Sequence, residues 1–412
     1  MKAAKYWQLA SHTGLALSAF VIAYLLLRYA PAAHYGSFTF MLVLQAFGMA
    51  LCNALIASPL LILMNTQQSS EQQAAVPKGF LLFGLAIATG IALLQGLYLW
   101  FALADIGLSV LLAVAGWLQL LRWYVRCEWQ NRNVRVLIFS DGWFSLLLVI
   151  GCAVLWYLDA LTLFYVGGLL ILASIVALWP FLAGFYHSLQ QPADWSLVSR
   201  GFQKQGKPAL LGVFTVELTA NFHSYLVVLG SGSAAFAPLA AAMLFFRPLA
   251  VVLGSLIQSE RPMLVQARNA GKHSRVQQLT ASIRNIAIVA FLGNVLVLLL
   301  VFMFWPILLW PEPASRTEFG LALILWSLVA LFRALRASTT AWMQAADQFA
   351  PLARVTYLSA AWTIPAVVIC WWLAGPIASL LGVLSGEVLL GILLWRVKRK
   401  LQSTALIEPA SI

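Results

Sequence analysis

Charged side chains are scarce in this sequence: they make up 9% of its 412 residues, against 62% that are hydrophobic. A soluble domain carries about a quarter charged residues, so a water-solvated globule is excluded and the chain belongs in lipid. Cysteine is scarce as well. Of Cys52, Cys127, Cys152 and Cys370, three fall in apolar runs and Cys127 in a cytoplasmic loop. No CxxC pair occurs, so neither a disulfide framework nor a cysteine metal site is expected. His12, His34, His187, His223 and His273 are scattered and form no HExxH. The absence of GxxxxGK[ST] excludes a P-loop, and the absence of GxSxG excludes a nucleophile elbow. Strand-like alternation is missing too, which argues against a membrane barrel. No catalytic residue, metal site or cofactor is expected, and an enzyme is disfavoured.

What the sequence has is apolar runs about 20 residues long, the length that crosses a bilayer. Twelve recur, at roughly 9–30, 38–63, 79–101, 104–122, 138–158, 160–186, 208–230, 234–257, 284–308, 318–344, 351–374 and 376–395. Lipid offers the backbone no partners, so each is expected to be a helix. The net charge of +12 is topology rather than a nucleic-acid footprint. With both termini cytoplasmic, all 25 Lys and Arg residues except Arg28, Arg247 and Arg316 lie on or beside cytoplasmic segments, as the positive-inside rule requires. The arginines Arg122, Arg126, Arg132 and Arg135 are counted among these charges on or beside cytoplasmic segments. Tryptophans near span ends, such as Trp7, Trp100, Trp123, Trp310 and Trp395, suit interfacial anchoring. Lysines before the first run, with no clear small-residue cleavage site after it, read as a retained first helix.

The connections are too short to hold a soluble domain. The polar stretch with Pro192 and Gly201 divides the chain into a lobe over 1–190, a cytoplasmic linker over 191–207 and a second lobe over 208–412 with a basic tail. Six spans fall on each side, so any internal repeat is parallel. In the spans interrupted by glycine or proline, either small residues serve close helix packing, or Pro248 and Pro365 mark bends of a moving bundle.

The exceptions inside the apolar runs carry the functional signal, because a charge at mid-membrane costs about 2.5–3.5 kcal/mol. In "GVFTVELTANFHSYLVVLG", Glu217, Asn221 and Ser224 fall four and three residues apart and share one helix face, with His223 offset in the same turn. That stripe is either interhelical glue, for instance through a Glu217–Arg247 pair, or the lining of a cavity where a polar substrate or coupling ion sits. Arg247 is too deep to set topology, and a guanidinium suits either a carboxylate or a bidentate phosphate. Arg28 closes the first run and either snorkels or faces substrate. Arg333 and Arg336, three apart, are either cytoplasmic anchors or a basic mouth for an anionic headgroup. Glu387 either pairs locally or takes part in transport, and Asp141 sits at a span end.

Several stretches resemble the MOP flippase superfamily, in particular the Wzx-type flippases of polysaccharide and O-antigen assembly. They are Arg28 followed by "YAPAAHYGSFTFMLVLQAF" with Tyr35 and Gly36, "SPLLIL" from Ser58, "WMQAADQFAPLARVTYLSAAWTIPAVVI", and the closing "GPIASLLGVLSGEVLLGILLWRVKRK". Ala345 and Ala346 stand where that family usually has glycine. The resemblance implies an all-α integral membrane protein with about twelve spans in two six-helix lobes around a central cavity. It also implies alternating access by rocking of the lobes. The implied cargo is a polyprenyl-diphosphate-linked glycan, carried across a bacterial inner membrane for exopolysaccharide, O-antigen or capsule assembly. Partners would be membrane lipids and other polysaccharide-assembly proteins, with no nucleic acid. Phosphate and sugar would then meet Arg247, Arg28, Arg333, Arg336, Asn221 and Ser224. Proton or sodium coupling, if used, would fall to Glu217, His223 or Glu387. The multidrug exporters of the same superfamily share twelve spans and stay open as an alternative. A polymerase or ligase fits less well, since it needs a large outward loop.

Overall fold

The computed structural model describes residues 2–57, 59–60, 78–129, 133–190, 195–306 and 316–407. "SPLLIL" from Ser58 is largely outside the described residues, as are Arg132, Trp310, Pro192 and the rest of residues 61–77 and 307–315. The described residues fold as helices joined by short turns. In chain order they are α1 (Lys2–Tyr29), α2 (Ala32–Cys52, extended by a π-turn over Asn53–Ala57), α3 (Lys78–Leu103), α4 (Ile106–Trp129) and α5 (Val134–Tyr157). Then come α6 (Leu163–Leu178), α7 (Leu182–Gln190), α8 (Trp195–Gly201), α9 (Lys207–Ser231), α10 (Ser233–Leu244) and α11 (Arg247–Asn269). The last four are α12 (His273–Phe304), α13 (Arg316–Ala345), α14 (Phe349–Ala374) and α15 (Ser379–Ile407).

Each of the twelve expected spans holds helix among the described residues. Nine of the helical spans are long and apolar enough to cross a membrane on those grounds alone, or ten if α10 and α11, bent by 52° at Phe245–Phe246, count as one. The shortfall has a physical reason. The apolar part of α1 runs only from Thr13 to Tyr29, and α9 is diluted by Glu217, Asn221, His223 and Ser224. Pro248 sits in the first turn of α11, just past that bend, where a missing N–H costs nothing. In contrast α14 runs through Pro365 as one helix.

Large apolar side chains point outward, including Phe101, Leu229 and Trp372, each at least 75% exposed. In lipid this is the solvated face. The chain is a multi-pass integral membrane protein.

Two compact units form. The first holds Met1–Phe214 and Gly232–Ala237, the second Thr215–Ser231 and Pro238–Ile412. In the first, α1 packs on α5, α3 on α4, and α6 on both α4 and α5. Its core gathers Cys52, Ile56, Leu60, Phe80, Tyr124 and Phe181. A buried amide pair adds interhelical bonds: Gln95 Nε2 donates to Gln45 Oε1 at 2.9 Å and to Met41 O at 3.1 Å, while Gln45 Nε2 donates to Gly116 O at 3.0 Å. Such bonds contribute about 0.6–2 kcal/mol each in membranes. Cys127, expected in a loop, is buried within α4, its thiol 3.6 Å from Asn53 Oδ1. The apolar run ends near residue 122, yet the helix continues to Trp129 because its last two turns are buried.

In the second unit α14 packs on α15, α13 on α12 and α15, and α11 on α12 and α13. The α14–α15 contact depends on small residues. A Cβ at Gly382 would lie 2.5 Å from Val367 Cα and 2.7 Å from the Ala366 carbonyl carbon, and one at Gly386 would lie 3.0 Å from Thr363 Cβ. The two glycines are four apart, the small-xxx-small spacing that lets backbones approach in lipid. Gly382→Ala should therefore destabilise the chain by about 1–3 kcal/mol through overpacking. Gly391→Ala, where nothing lies within 4 Å, should leave thermal unfolding in detergent unchanged or raise it slightly.

Candidate functional site

The second unit contains a cavity of about 350 Å³ walled by α9, α13, α14 and α15. This is within the ~300–1,000 Å³ typical of small-ligand pockets. From α13 come Arg333, Arg336, Thr340 and Gln344, spaced as one helix face, and from α14 come Thr356, Ser359 and Thr363, spaced likewise. The one carboxylate on its wall is Glu387 of α15. Arg333 Nε donates to Glu387 Oε1 at 2.7 Å and Arg336 Nε to Oε2 at 2.8 Å, with Arg336 Nη2 at 3.4 Å from Oε1. Two guanidinium charges against one carboxylate leave the cluster with one positive charge. The Glu387 side chain is 10% exposed, while Arg333 and Arg336 remain 33% and 26% exposed.

The hydroxyls on α14 are oriented by the backbone. Thr356 and Thr363 donate to carbonyls one turn back, at 2.8 and 2.7 Å, and Ser359 donates across to Gly386 O at 2.9 Å. Their oxygens keep acceptor capacity. The wall thus offers guanidinium donors and neutral oxygens, which suit an anionic or polyhydroxylated ligand.

The polar residues of α9 are divided between different surroundings. The cavity takes Val216, Thr219 and Ala220 from this helix. Glu217 lies on another part of its surface, half-buried, and accepts from Tyr225 OH at 2.5 Å, with Asn221 close to the same carboxylate. The Glu217–Arg247 pair considered above is replaced by this Tyr225 contact. His223 and Ser224 are fully buried. His223 Nε2 is 3.2 Å from Ser224 Oγ, and its ring stands edge-on to Trp326 at 5.4 Å between centroids. Trp326 donates to Leu239 O at 3.1 Å, and Arg333 Cζ lies 5.7 Å from its ring centroid. One indole therefore touches both His223 and a cavity arginine. Arg247 opens α11, half-buried, and is not on the cavity wall. Arg28 belongs to the first unit, half-buried at the end of α1 beside Tyr24.

Sequence reasoning missed a second ionic cluster, in the first unit. Asp141 of α5, 1% exposed, accepts from Arg122 Nη2 at 3.1 Å, from Arg126 Nη1 and from Ser11 Oγ at 2.7 Å. The Arg122 guanidinium also covers the Phe144 ring at 3.4 Å. Arg122, expected at a span end, and Arg126, expected in the connection after it, are both buried members of α4 on one face, four residues apart. That spacing was the available signal.

No family model matches the chain, and no curated protein matches it. Solved structures do. A multidrug resistance MATE family transporter of the MOP superfamily, in its inward-facing conformation, superposes with a TM-score of 0.69 at 14% identity, covering 96% of each chain. The chain has the fold of that transporter. The eukaryotic MATE transporter AtDTX14 gives 0.62 at 14% identity, covering 96% of this chain and 95% of that one. The lipid II flippase MurJ, inward closed, gives 0.61 at 12% identity, covering 97% of this chain and 88% of that one. Transporter and flippase structures alike therefore share the fold of this chain, and at such identities the likeness extends to the fold alone.

Proposed function

We propose that the chain is a flippase carrying a polyprenyl-diphosphate-linked oligosaccharide across a bacterial inner membrane by alternating access, both termini cytoplasmic, in exopolysaccharide, O-antigen or capsule assembly. The observation that supports this most is the net positive cavity of the second unit, with Arg333 and Arg336 outnumbering Glu387 on a wall otherwise built of hydroxyls, an amide and apolar groups. Burying a diphosphate in hydrocarbon is prohibitive. A cavity that replaces its hydration with guanidinium and hydroxyl groups removes that barrier while the polyprenyl tail stays in lipid. Outward movement from a negative interior then releases about 2.3 kcal/mol per charge per 100 mV, so the membrane potential can supply the drive. Arg28 and Arg247 are further candidates for phosphate, and Asn221 for sugar.

A second reading, a cation-coupled exporter of organic cations, draws on Glu217 and on the MATE neighbours. The two readings differ in a direct measurement. In proteoliposomes carrying a polyprenyl-diphosphate oligosaccharide, the flippase should expose headgroups faster under an inside-negative potential, and Glu217→Gln should alter only dependence on a proton or sodium gradient. Gradient-driven export of a cationic dye, lost in Glu217→Gln and without headgroup exposure, would establish the exporter instead.

A further inference from the structure

A second polar pocket of the same unit lies away from the arginine cavity. It holds about 410 Å³ between the start of α12, the second half of α13 and the basic end of α15. Three cations reach it, Arg284, Lys398 and Arg399, and no carboxylate is on its wall. Among the described residues none of the three is in an ion pair. Two of them stand against indoles instead. Lys398 Nζ is 5.5 Å from the Trp342 ring centroid, and Arg399 Cζ is 4.6 Å from that of Trp395. A ring face attracts a cation without taking up its N–H donors, so those donors stay available to a ligand. Thr280 and Ser338 add hydroxyls to the wall.

We propose that this pocket binds the phosphate headgroup of an anionic phospholipid from the surrounding bilayer. The charge alone would suit any phosphate. Leu335 is what selects a lipid: it is on the pocket wall and begins an exposed apolar stripe on α13. Leu335, Leu328, Ile324 and Leu321, each between 38% and 59% exposed, recur at helical spacing and lead away from the basic end of α15. A headgroup held by the three cations would lay an acyl chain on this stripe, whereas a soluble phosphate would leave it unused. Basic pockets between membrane helices on the cytoplasmic side, flanked by interfacial tryptophan, are suited to such headgroups.

The test uses the full chain in neutral detergent, titrated with phosphatidylglycerol, phosphatidylcholine or inorganic phosphate and followed by native mass spectrometry and tryptophan fluorescence. Saturable binding of phosphatidylglycerol, at least tenfold tighter than of phosphatidylcholine, is the expected result. Each of Arg284→Gln, Lys398→Gln and Arg399→Gln should weaken it about fivefold, and the triple variant roughly a hundredfold. Arg275→Gln, an exposed cation of α12 off the pocket, should leave it unchanged. Lys398→Arg, which keeps the charge, should bind like wild type and guards against a triple variant that fails to fold. Equal binding of both lipids, wild-type affinity in a folded triple variant, or inorganic phosphate competing as well as the lipid would each overturn the proposal.

Discussion

Asp141→Asn is expected to lower the unfolding free energy by about 3–5 kcal/mol, seen as a large drop in thermal melting temperature in detergent. The carboxylate is the shared counter-ion of two guanidinium groups, Arg122 and Arg126, whose side chains are only 9% and 11% exposed. An asparagine of the same shape fills the space but leaves two like charges facing one another away from water. Neither can leave: Arg122 is pressed on the Phe144 ring, and both are on a helix face fixed by packing against α5 and α6. Removing one partner of a buried pair costs more than replacing the whole set, because an uncompensated charge remains. The triple replacement Arg122→Met, Arg126→Met, Asp141→Leu should therefore melt near wild type. Ser11→Ala, which removes one hydrogen bond from α1 to the carboxylate, should cost about 1–2 kcal/mol. A melting temperature for Asp141→Asn within a degree of wild type would mean that water reaches the cluster and screens it.

That cluster also shows where reading the sequence stops. The helices themselves were legible, because in lipid an apolar run has one way to satisfy its backbone. So were the polar exceptions, since each departs from a uniform background. Their partners were not. Glu387 meets arginines 51 and 54 positions away, and nothing local to α13 or α15 records which helices become neighbours. Arg122 and Arg126 were assigned to topology because the positive-inside rule counts charges near span ends without knowing their burial, and α4 extends two turns past its apolar run. The α9 stripe was read correctly as residues of one helix. Packing nevertheless separates it, placing His223 against Trp326 with Ser224 beside it, while Glu217 turns to Tyr225. The α14 hydroxyls Thr356, Ser359 and Thr363 gave no warning. Serine and threonine are common in membrane helices as packing and hydrogen-bonding residues, and only the cavity distinguishes these three.

Arg333→Ala with Arg336→Ala should slow potential-driven headgroup flipping in proteoliposomes at least a hundredfold, with correct insertion confirmed by unchanged thermal melting or by a folded Arg→Lys pair. Each guanidinium hydrogen bond to a charged group contributes about 1.5–3 kcal/mol, and two lost together correspond to that factor or more. Glu387 sharpens the result, because the two readings of the cavity disagree about its sign. It is the one carboxylate on the wall, and its oxygens hold both arginines by their Nε atoms. Glu387→Gln raises the cluster from one net positive charge to two. If the cavity takes a diphosphate, affinity for the anion should be kept or increased, and the double arginine variant should lose it. An organic cation in this cavity would respond in the opposite direction, since Glu387→Gln removes the carboxylate from its wall and the arginine variant removes the repulsion. Measuring both variants on a polyprenyl-diphosphate donor and on a cationic dye separates the cases by direction of change, independent of how much protein is reconstituted.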